Sequence, residues 1–429
     1  MNWEIIKQEA SKMLSEYIQV CTINPPGDEV KGCNWLASIA ENENLDYSLM
    51  LTDDKRANFI TQINKDLQKK SKIILLNHID VVPASSEEWK DDPFSGVIRD
   101  GYVCGRGALD MKGMAIIELM TLILLKRNNY KKNNVIFLAT ADEESGSKQG
   151  VNFLLKNHKE VLDADLVINE GGIGTFNAFN KQENIFNIGI SEKSPLWLKI
   201  IINAESGHGS KQNFQSSTYK LILTLQKIIE SNHSLQLSKE VEQYYRYLHQ
   251  AGMIDVNIDN TFLNDIRNKD KFANSILTNT IAITRIDAGY KNNVVPSTAS
   301  ASLDIRLVPG YSASQFISDL QLIINDPTVV IKTIFHSSTK TSSINNKYYE
   351  AINQSIKKIV PNAIVVPYVT SGFTDSRIFR EMNIPAYGFI PILVTKQDLL
   401  GIHGIDEKIS IDNLLLGIKI LYEFLTNID

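Results

Sequence analysis

With 429 residues, the chain is too long for one ordinary hydrophobic core, so two domains are expected. Apolar residues make up 43% and charged residues 22%, a globular balance that excludes a disordered chain. A formal charge of −5, from 44 basic and 49 acidic residues, gives no reason to expect nucleic acid as a partner.

The first predicted element is an amphipathic helix at residues 3–18, whose apolar positions have helical spacing. Charged residues interrupt the apolar ones throughout 1–20, so this segment lacks the apolar core of a signal peptide. No apolar run of about 18 residues follows, so no membrane span is predicted. Cys21, Cys33 and Cys104 have no C-x-x-C spacing, which indicates neither a disulfide framework nor a thiolate zinc site. A cytoplasmic protein is expected.

Beyond residue 27, short β-rich runs alternate with helical stretches. Buried strands are predicted at 73–76, 135–140 and 166–168, and a helix at 111–125. This alternation predicts an α/β layer, with a mostly parallel sheet and helices on both faces.

The pattern changes near residue 190. Strands are predicted at 196–202, 281–286, 298–307 and 329–335, and helices at 217–231 and 312–324. These elements predict an α+β sandwich. The stretch 232–274 is polar and irregular in pattern, as expected of an insertion within this second domain.

From residue 342 onward, helix and strand alternate again and end in a helix predicted at 411–425. The simplest account is a discontinuous first domain, 1–188 with 340–429, and an inserted second domain, 189–339.

Potential metal ligands follow the predicted strands of the first domain. His78 and Asp80 come at the carboxyl end of a buried strand, where α/β folds build their sites. A lone histidine there has a structural role about as often as a functional one. An aspartate that receives the second ring N–H of a metal-bound histidine favours function.

Five further positions extend this pattern. Asp110 follows a glycine-containing segment, and helix capping is a simpler role for it taken alone. Glu143 and Glu144 directly follow another buried strand, where charge repulsion is costly unless a cation or proton is shared. Glu170 ends the next strand, and His403 precedes the last helix.

Two imidazoles and three carboxylates, the ligands that Zn²⁺ accepts when thiolates are absent, are available at His78, Asp110, Glu144, Glu170 and His403. If one carboxylate bridges two ions and each ion has two further ligands, all five side chains are used.

In their order along nearly the whole chain, these motifs resemble the co-catalytic zinc hydrolases that include aminoacylase, acetylornithine deacetylase, succinyl-diaminopimelate desuccinylase and carboxypeptidases G and S. The resemblance implies a zinc-peptidase-like catalytic domain with an inserted dimerisation (lid) domain. It implies that His78 and Glu170 hold one ion, that Glu144 and His403 hold the other, and that Asp110 bridges them. A cis peptide bond after Asp110 is also expected.

The same resemblance implies catalytic roles. Glu143 would be the general base, and Asp80 would orient His78. His208, flanked by glycines, would stabilise the oxyanion in the active site of a partner subunit. An exposed loop histidine is the alternative for His208.

Candidate substrate-binding residues complete the set. Gly372 and Arg377 resemble a loop that grips the substrate's carboxylate, which an arginine fork suits. Asn293 resembles a substrate-contacting asparagine. Arg306 lies on the polar face of a predicted strand, and a structural ion pair with Asp304 is equally expected for it.

The predicted function is therefore a di-zinc metallohydrolase that cleaves small N-acyl amino acids or short peptides and releases an amino acid. It is expected to act as a homodimer through the inserted domain, with Co²⁺ or Mn²⁺ as substitute metals. A catalytically inactive metal-binding or scaffold protein is the alternative, although the ligand and base positions all carry suitable residues. A carboxylate-only magnesium or manganese enzyme is disfavoured by the two histidines.

Overall fold

The computed structural model describes residues 1–52, 55–66, 70–177, 181–211, 213–231 and 234–428. Helices of these residues are α1 (Trp3–Gln19), α2 (Glu29–Asn42), α3 (Lys112–Arg127), α4 (Val151–Asn157), α5 (Ser217–Glu230), α6 (Lys239–Gln250), α7 (Asn260–Lys269), α8 (Lys271–Leu277), α9 (Ala313–Ile324), α10 (Lys347–Ile359), α11 (Ser376–Glu381), α12 (Lys396–Leu399) and α13 (Ile411–Asn427).

Strands of the same residues are β1 (Tyr47–Leu51), β2 (Ala57–Ile63), β3 (Lys72–His78), β4 (Ile98–Arg99), β5 (Tyr102–Cys104), β6 (Asn134–Thr140), β7 (Leu166–Phe176), β8 (Asn184–Glu192), β9 (Ser194–Asn203), β10 (Gly207–His208), β11 (Thr280–Ala288), β12 (Val294–Val295), β13 (Thr298–Leu307), β14 (Val329–His336), β15 (Ile364–Thr370), β16 (Ala386–Val394) and β17 (Lys408–Ser410).

The large sheet has eight strands in the order β1-β2-β6-β3-β7-β16-β8-β15. Its centre is parallel, since β3 pairs in parallel with both β6 and β7, and β16 with β7. Antiparallel pairs occur at β1–β2 and β2–β6. The predicted mostly parallel α/β sheet is therefore confirmed.

Helices cover both faces of this sheet. On β3, Ile73 and Leu75 pack in a core with α1, α2, α3 and α13, while Ile74 and Leu76 pack on the opposite face with α4 and α11. Because alternate residues of a strand point to opposite faces, a strand buried on both sides is apolar at nearly every position. Helix α3 is buried almost all round and correspondingly apolar.

The small sheet has four antiparallel strands in the order β11-β13-β9-β14. Helices α5 and α9 cover one face, where the predicted apolar side of β13 is buried; this side comprises Ala299, Ala301, Leu303, Ile305 and Leu307. The expected second, α+β unit is present. Asp304 and Arg306 lie on the opposite face and are partly exposed.

The prediction of an irregular stretch at 232–274 is wrong, because the described part of these residues folds into α6, α7 and most of α8. In α6, Val241, Tyr244, Tyr245 and Leu248 form a buried stripe. These residues pack with Val366 and Val369 of β15, so the helices cover the large sheet and not the small one. The domain bounds 189–339 therefore remain a proposal.

Parallel strands β3 and β6 end at one edge of the large sheet, beside the middle of β7, so the residues that follow β3 and β6 converge there with Glu170 of β7. No helix in the described part of the chain is both long and apolar enough to cross a membrane.

Candidate metal centre

Asp110 lies between two histidines. Its Oδ1 is 3.0 Å from Nε2 of His78, and its Oδ2 is 3.1 Å from Nε2 of His403. Helix capping does not occupy Asp110, because the cap position of α3 is Met111 and has no side-chain capping bond. The predicted cis peptide bond between Asp110 and Met111 is present.

Two further carboxylates complete two groups. Oε1 of Glu170 lies 4.0 Å from Nε2 of His78, and Oε1 of Glu144 lies 3.2 Å from Nε2 of His403. Within each group of three, which share Asp110, the potential ligand atoms all lie within 4.8 Å of one another. The structure thus brings together side chains from positions 78 to 403.

These residues fit a pair of zinc ions. Both groups offer one imidazole and two carboxylates, a donor set that zinc accepts in hydrolytic sites. A carboxylate with one oxygen facing each histidine has the arrangement of a bridging ligand.

The acidic side chains are crowded. Burial raises the pKa of Glu143 well above its ordinary value, and the charge of Glu170 adds to the effect. Burial and Asp110 act in the same way on the pKa of Glu170. Hydrogen bonds with Asp110 and Glu144 raise the pKa of His403 to about 10. The cluster therefore favours bound positive charge, which protons or divalent cations supply.

Glu143 lies on the cavity wall but in neither ligand group. It is 9% exposed, and its Oε1 is buried without a hydrogen-bond partner among the described atoms. Among the described residues, no hydrogen bond has to break before this oxygen takes up a proton.

Asp80 contacts the site differently from expectation. Nδ1 of His78 is 2.8 Å from the main-chain oxygen of Asp80 and 3.6 Å from its carboxylate. The carboxylate instead accepts main-chain N–H groups from Glu143 at 3.1 Å and Glu144 at 3.2 Å. His78 is thus oriented mainly by a carbonyl.

Glu407 organises the segment that leads to Asp110. It is fully buried and accepts the main-chain N–H groups of Gly107, Leu109 and Asp110 and one guanidinium N–H of Arg106. The sequence alone predicted no role for Arg106 or Glu407. Their presence in two glycine-containing segments is a weak signal, because only the fold shows that they meet.

A cavity of about 470 Å³ opens over the carboxylates. Gly372 and Arg306 line it, and Arg306 also forms the alternative ion pair with Asp304 at 2.8 Å. Arg377 is only 1% exposed, and its guanidinium carbon lies 4.7 Å from the ring centre of Phe373, a residue of the cavity wall. Within this chain, Arg377 lies behind the wall.

His208 and Asn293 lie together and are not part of this wall. His208 belongs to β10, which pairs with β12, and the main chain of Asn293 accepts the N–H of Gly209 at 2.9 Å. Both residues are exposed. Among the described residues of this chain, the cavity lining includes neither.

Comparison with known proteins gives a family match. A sequence model of the peptidase family M20/M25/M40 matches residues 74–427. The human N-fatty-acyl-amino acid synthase/hydrolase PM20D1 is 29% identical over 372 residues, which cover 83% of this chain and 74% of that protein. Aminoacylase-1 of Dictyostelium discoideum is 26% identical over 433 residues, covering 99% and 98%.

The fold has a solved counterpart. The M20 family metallo-carboxypeptidase Sso-CP2 from Sulfolobus solfataricus superposes with a TM-score of 0.72 at 23% identity, covering 97% of this chain and 98% of that one. This likeness concerns the fold, including the mostly parallel sheet and the second sheet.

Proposed function

This chain belongs to the peptidase family M20/M25/M40, and we propose that it is a di-zinc hydrolase that releases an amino acid from N-acyl amino acids or short peptides. Family membership makes it a metal-dependent enzyme acting on amides of amino acids or dipeptides. The observation that carries the finer proposal is the pair of ligand groups sharing Asp110.

His78 and Glu170 would hold one ion, Glu144 and His403 the other, with Asp110 between them. When bound, a zinc pair lowers the pKa of water and polarises a carbonyl oxygen. The chain's own residues place the scissile amide and move the protons.

Glu143 is the proposed general base. Its Oε1 has no competing partner among the described atoms, so it is free to accept a proton from the attacking water. The same oxygen then returns the proton to the leaving nitrogen, as one carboxyl group can do in both halves of a hydrolysis.

His208 is proposed to donate to the oxyanion in the active site of a partner subunit, with Asn293 beside it on the substrate. Its exposure on β10, away from the cavity of its own chain, supports this assignment. On the inserted domain, α5 exposes Ile222, Leu223 and Ile229 by 58%, 54% and 67%. An apolar face of this kind supports a homodimer through that domain.

The substrate's carboxylate is assigned to the arginines around Phe373. Arg306 and Gly372 line the cavity directly. Arg377 has the Phe373 ring against its guanidinium, so the carboxylate fork proposed for Arg377 requires that ring to move.

The acyl group is assigned to an apolar part of the wall, which includes Ile173, Trp197, Phe373, Ile390, Leu399 and Ile402. A wall of this composition favours a long apolar acyl group over acetyl. The names of two relatives, an N-fatty-acyl-amino acid synthase/hydrolase and an aminoacylase, support an acyl amino acid as substrate.

The test is a kinetic panel on zinc-loaded protein with acetyl, succinyl, long-chain acyl and dipeptide substrates. We expect amide hydrolysis, with the highest kcat/KM for the long-chain acyl amino acid. Trp197→Ala should lower that kcat/KM about tenfold relative to the acetyl substrate, which corresponds to about 1.4 kcal/mol.

Glu143→Ala tests whether amide hydrolysis depends on the proposed general base. It should keep its metal and lose turnover by several orders of magnitude, because base and proton carrier are removed together. Inactivity of the zinc-loaded wild type on the whole panel would reject the proposed function.

A further inference from the structure

The base and one metal ligand lie on a short turn. Glu143 and Glu144 begin the 3₁₀ helix Glu143–Ser145 directly after β6. The first N–H groups of a helix have no partner within it, so they need acceptors from elsewhere. The fully buried carboxylate of Asp80 accepts both of them, from the end of a different strand.

Asn24 fixes that carboxylate. Its Nδ2 lies 2.8 Å from Oδ2 of Asp80 and 3.1 Å from Oδ1 of Asp142, so its amide donates to both acids. All three side chains are nearly inaccessible, with residue exposures of 4% for Asn24, 0% for Asp80 and 6% for Asp142. Shielded from bulk solvent, one neutral amide holds two carboxylates at a single nitrogen.

Asp142 anchors the other end of the turn. Its carboxylate accepts the main-chain N–H of Gln149 at 3.0 Å and Nη2 of Arg56 at 2.8 Å, and its own φ is +68°. Arg56 also pairs with buried Glu29 at 2.5 Å. The positive charge of this network therefore reaches Asp142, whereas the hydrogen-bond donors to the Asp80 carboxylate are neutral: the Asn24 amide and the N–H groups of Glu143 and Glu144.

We propose that Asn24 is a positioning residue: by joining Asp80 to Asp142, it holds the turn that carries the base Glu143 and the ligand Glu144. The inference rests on the proposed function. Without the two N–H donors, Asp80 and Asp142 repel each other across a buried gap, and the turn shifts. A catalytic group has to remain within about 0.5 Å of its productive place.

The experiment compares Asn24→Ala with Asn133→Ala. Asn133 is a matched control, since it is 2% exposed and its Nδ2 donates two hydrogen bonds, to the Tyr130 hydroxyl at 3.2 Å and the Ile428 carbonyl at 3.1 Å. Each variant is assayed for zinc affinity by competition with a chromophoric chelator, for kcat and KM separately, and for the visible spectrum of the cobalt-loaded protein.

For Asn24→Ala we expect kcat and the affinity of one zinc ion to fall about 10- to 100-fold, the usual effect of losing a residue that supports metal ligands. KM should change little, because substrate contacts remain, and the cobalt spectrum should change. Asn133→Ala should lower only the melting temperature. Asn24→Asp, equal in shape but without the two donors, should be at least as impaired as Asn24→Ala.

Wild-type zinc affinity, kcat and spectrum in Asn24→Ala, or changes equal to those in Asn133→Ala, would overturn the inference while leaving the hydrolase proposal intact. An inactive wild type that binds no zinc would instead reject the hydrolase. If Asn24→Ala does not fold, Asn24→Ser retains one donor and should show a smaller fall in the same quantities; unchanged values there would also overturn the inference.

Discussion

At Asp110, one carboxylate serves two groups of potential ligands. Its two oxygens face different histidines at 3.0 Å and 3.1 Å, while Glu170 and Glu144 each belong to one group only. Loss of the shared side chain should therefore differ in stoichiometry from loss of a terminal one.

We expect Asp110→Ala to lose both zinc ions and His403→Ala to lose mainly one, because only the first substitution removes a ligand from each group. The measurement is metal content by mass spectrometry after dialysis against metal-free buffer. Equal losses in the two variants would contradict a bridging role for Asp110.

A second residue-scale prediction concerns a carboxyl group outside the site. Glu118 on α3 is fully buried, and Oε2 accepts the amide of Asn77 at 2.7 Å. Burial raises its pKa well above the ordinary value. The folded state therefore holds this proton after the unfolded chain has lost it at about pH 4.3, and stability falls as the pH rises from there.

Glu118→Gln should raise the melting temperature at pH 8 by at least about 2 °C, since it keeps an acceptor for Asn77 and has no proton to lose. Near pH 4, where both folded and unfolded chains hold the proton, the difference should vanish. Thermal unfolding across pH measures this, and a gain that does not change with pH would contradict the explanation.

The sequence predicts the role of a residue when its type and its place next to a predicted strand or helix are enough to identify that role. Of the five candidate ligands, His78, Glu144 and Glu170 were identified at predicted strand ends, and Asp110 and His403 in segments that precede helices. The structure places all five together. Asn24, Arg106 and Glu407 were missed because their contacts join distant segments: the bond from Arg106 to Glu407 spans 301 positions. Local sequence does not record such pairs.

Among the elements, strands with regular alternation were predicted best. The strand predicted at 298–307 has those bounds in the structure, since one face packs under two helices while the other is polar. Helix α6 was missed although Val241, Tyr244, Tyr245 and Leu248 have helical spacing, because its remaining residues are polar and hide the stripe.

Strands β7 and β16 meet closely through glycines. A Cβ at Gly388 of β16 would lie 2.7 Å from the main-chain oxygen of Glu170, and one at Gly172 of β7 would lie 2.3 Å from the oxygen of Gly388. Strand β16 therefore approaches β7 at the point where β7 carries a candidate ligand.

Gly388→Ala should destabilise the protein by about 1–3 kcal/mol, the usual cost of overpacking, and displace Glu170. Gly207→Ala, where a Cβ meets nothing within 4 Å, is the control and should leave the free energy of unfolding unchanged. Chemical denaturation measures both. An unchanged free energy of unfolding in Gly388→Ala would show that β16 can move away from β7 without cost.

At the scale of the whole molecule, the sequence predicted two units, and their borders at 189 and 339 remain a proposal. Helices α6–α8 follow β9 in the chain, yet they pack on β8 and β15 of the large sheet. These helices are close to β9 in the chain but contact the large sheet in space, so the sequence alone did not show to which unit they belong.

The proposed dimer has its own test. Mixed and reassociated Glu143→Ala and His208→Ala subunits should recover up to about a quarter of wild-type activity, because half of the dimers then contain one intact site. Each variant alone should remain nearly inactive. Absence of recovery, with mixed dimers verified by mass spectrometry, would favour His208 acting within its own chain.

The bonds to Glu407 impose an order on biosynthesis. While the chain is being made, Gly107, Leu109 and Asp110 leave the ribosome long before the carboxylate that receives their N–H groups. The nascent amino-terminal part therefore cannot shape its Asp110 segment by itself. The Asp110 segment can therefore take its final shape, with the candidate ligand that it carries, only after Glu407 has been synthesised.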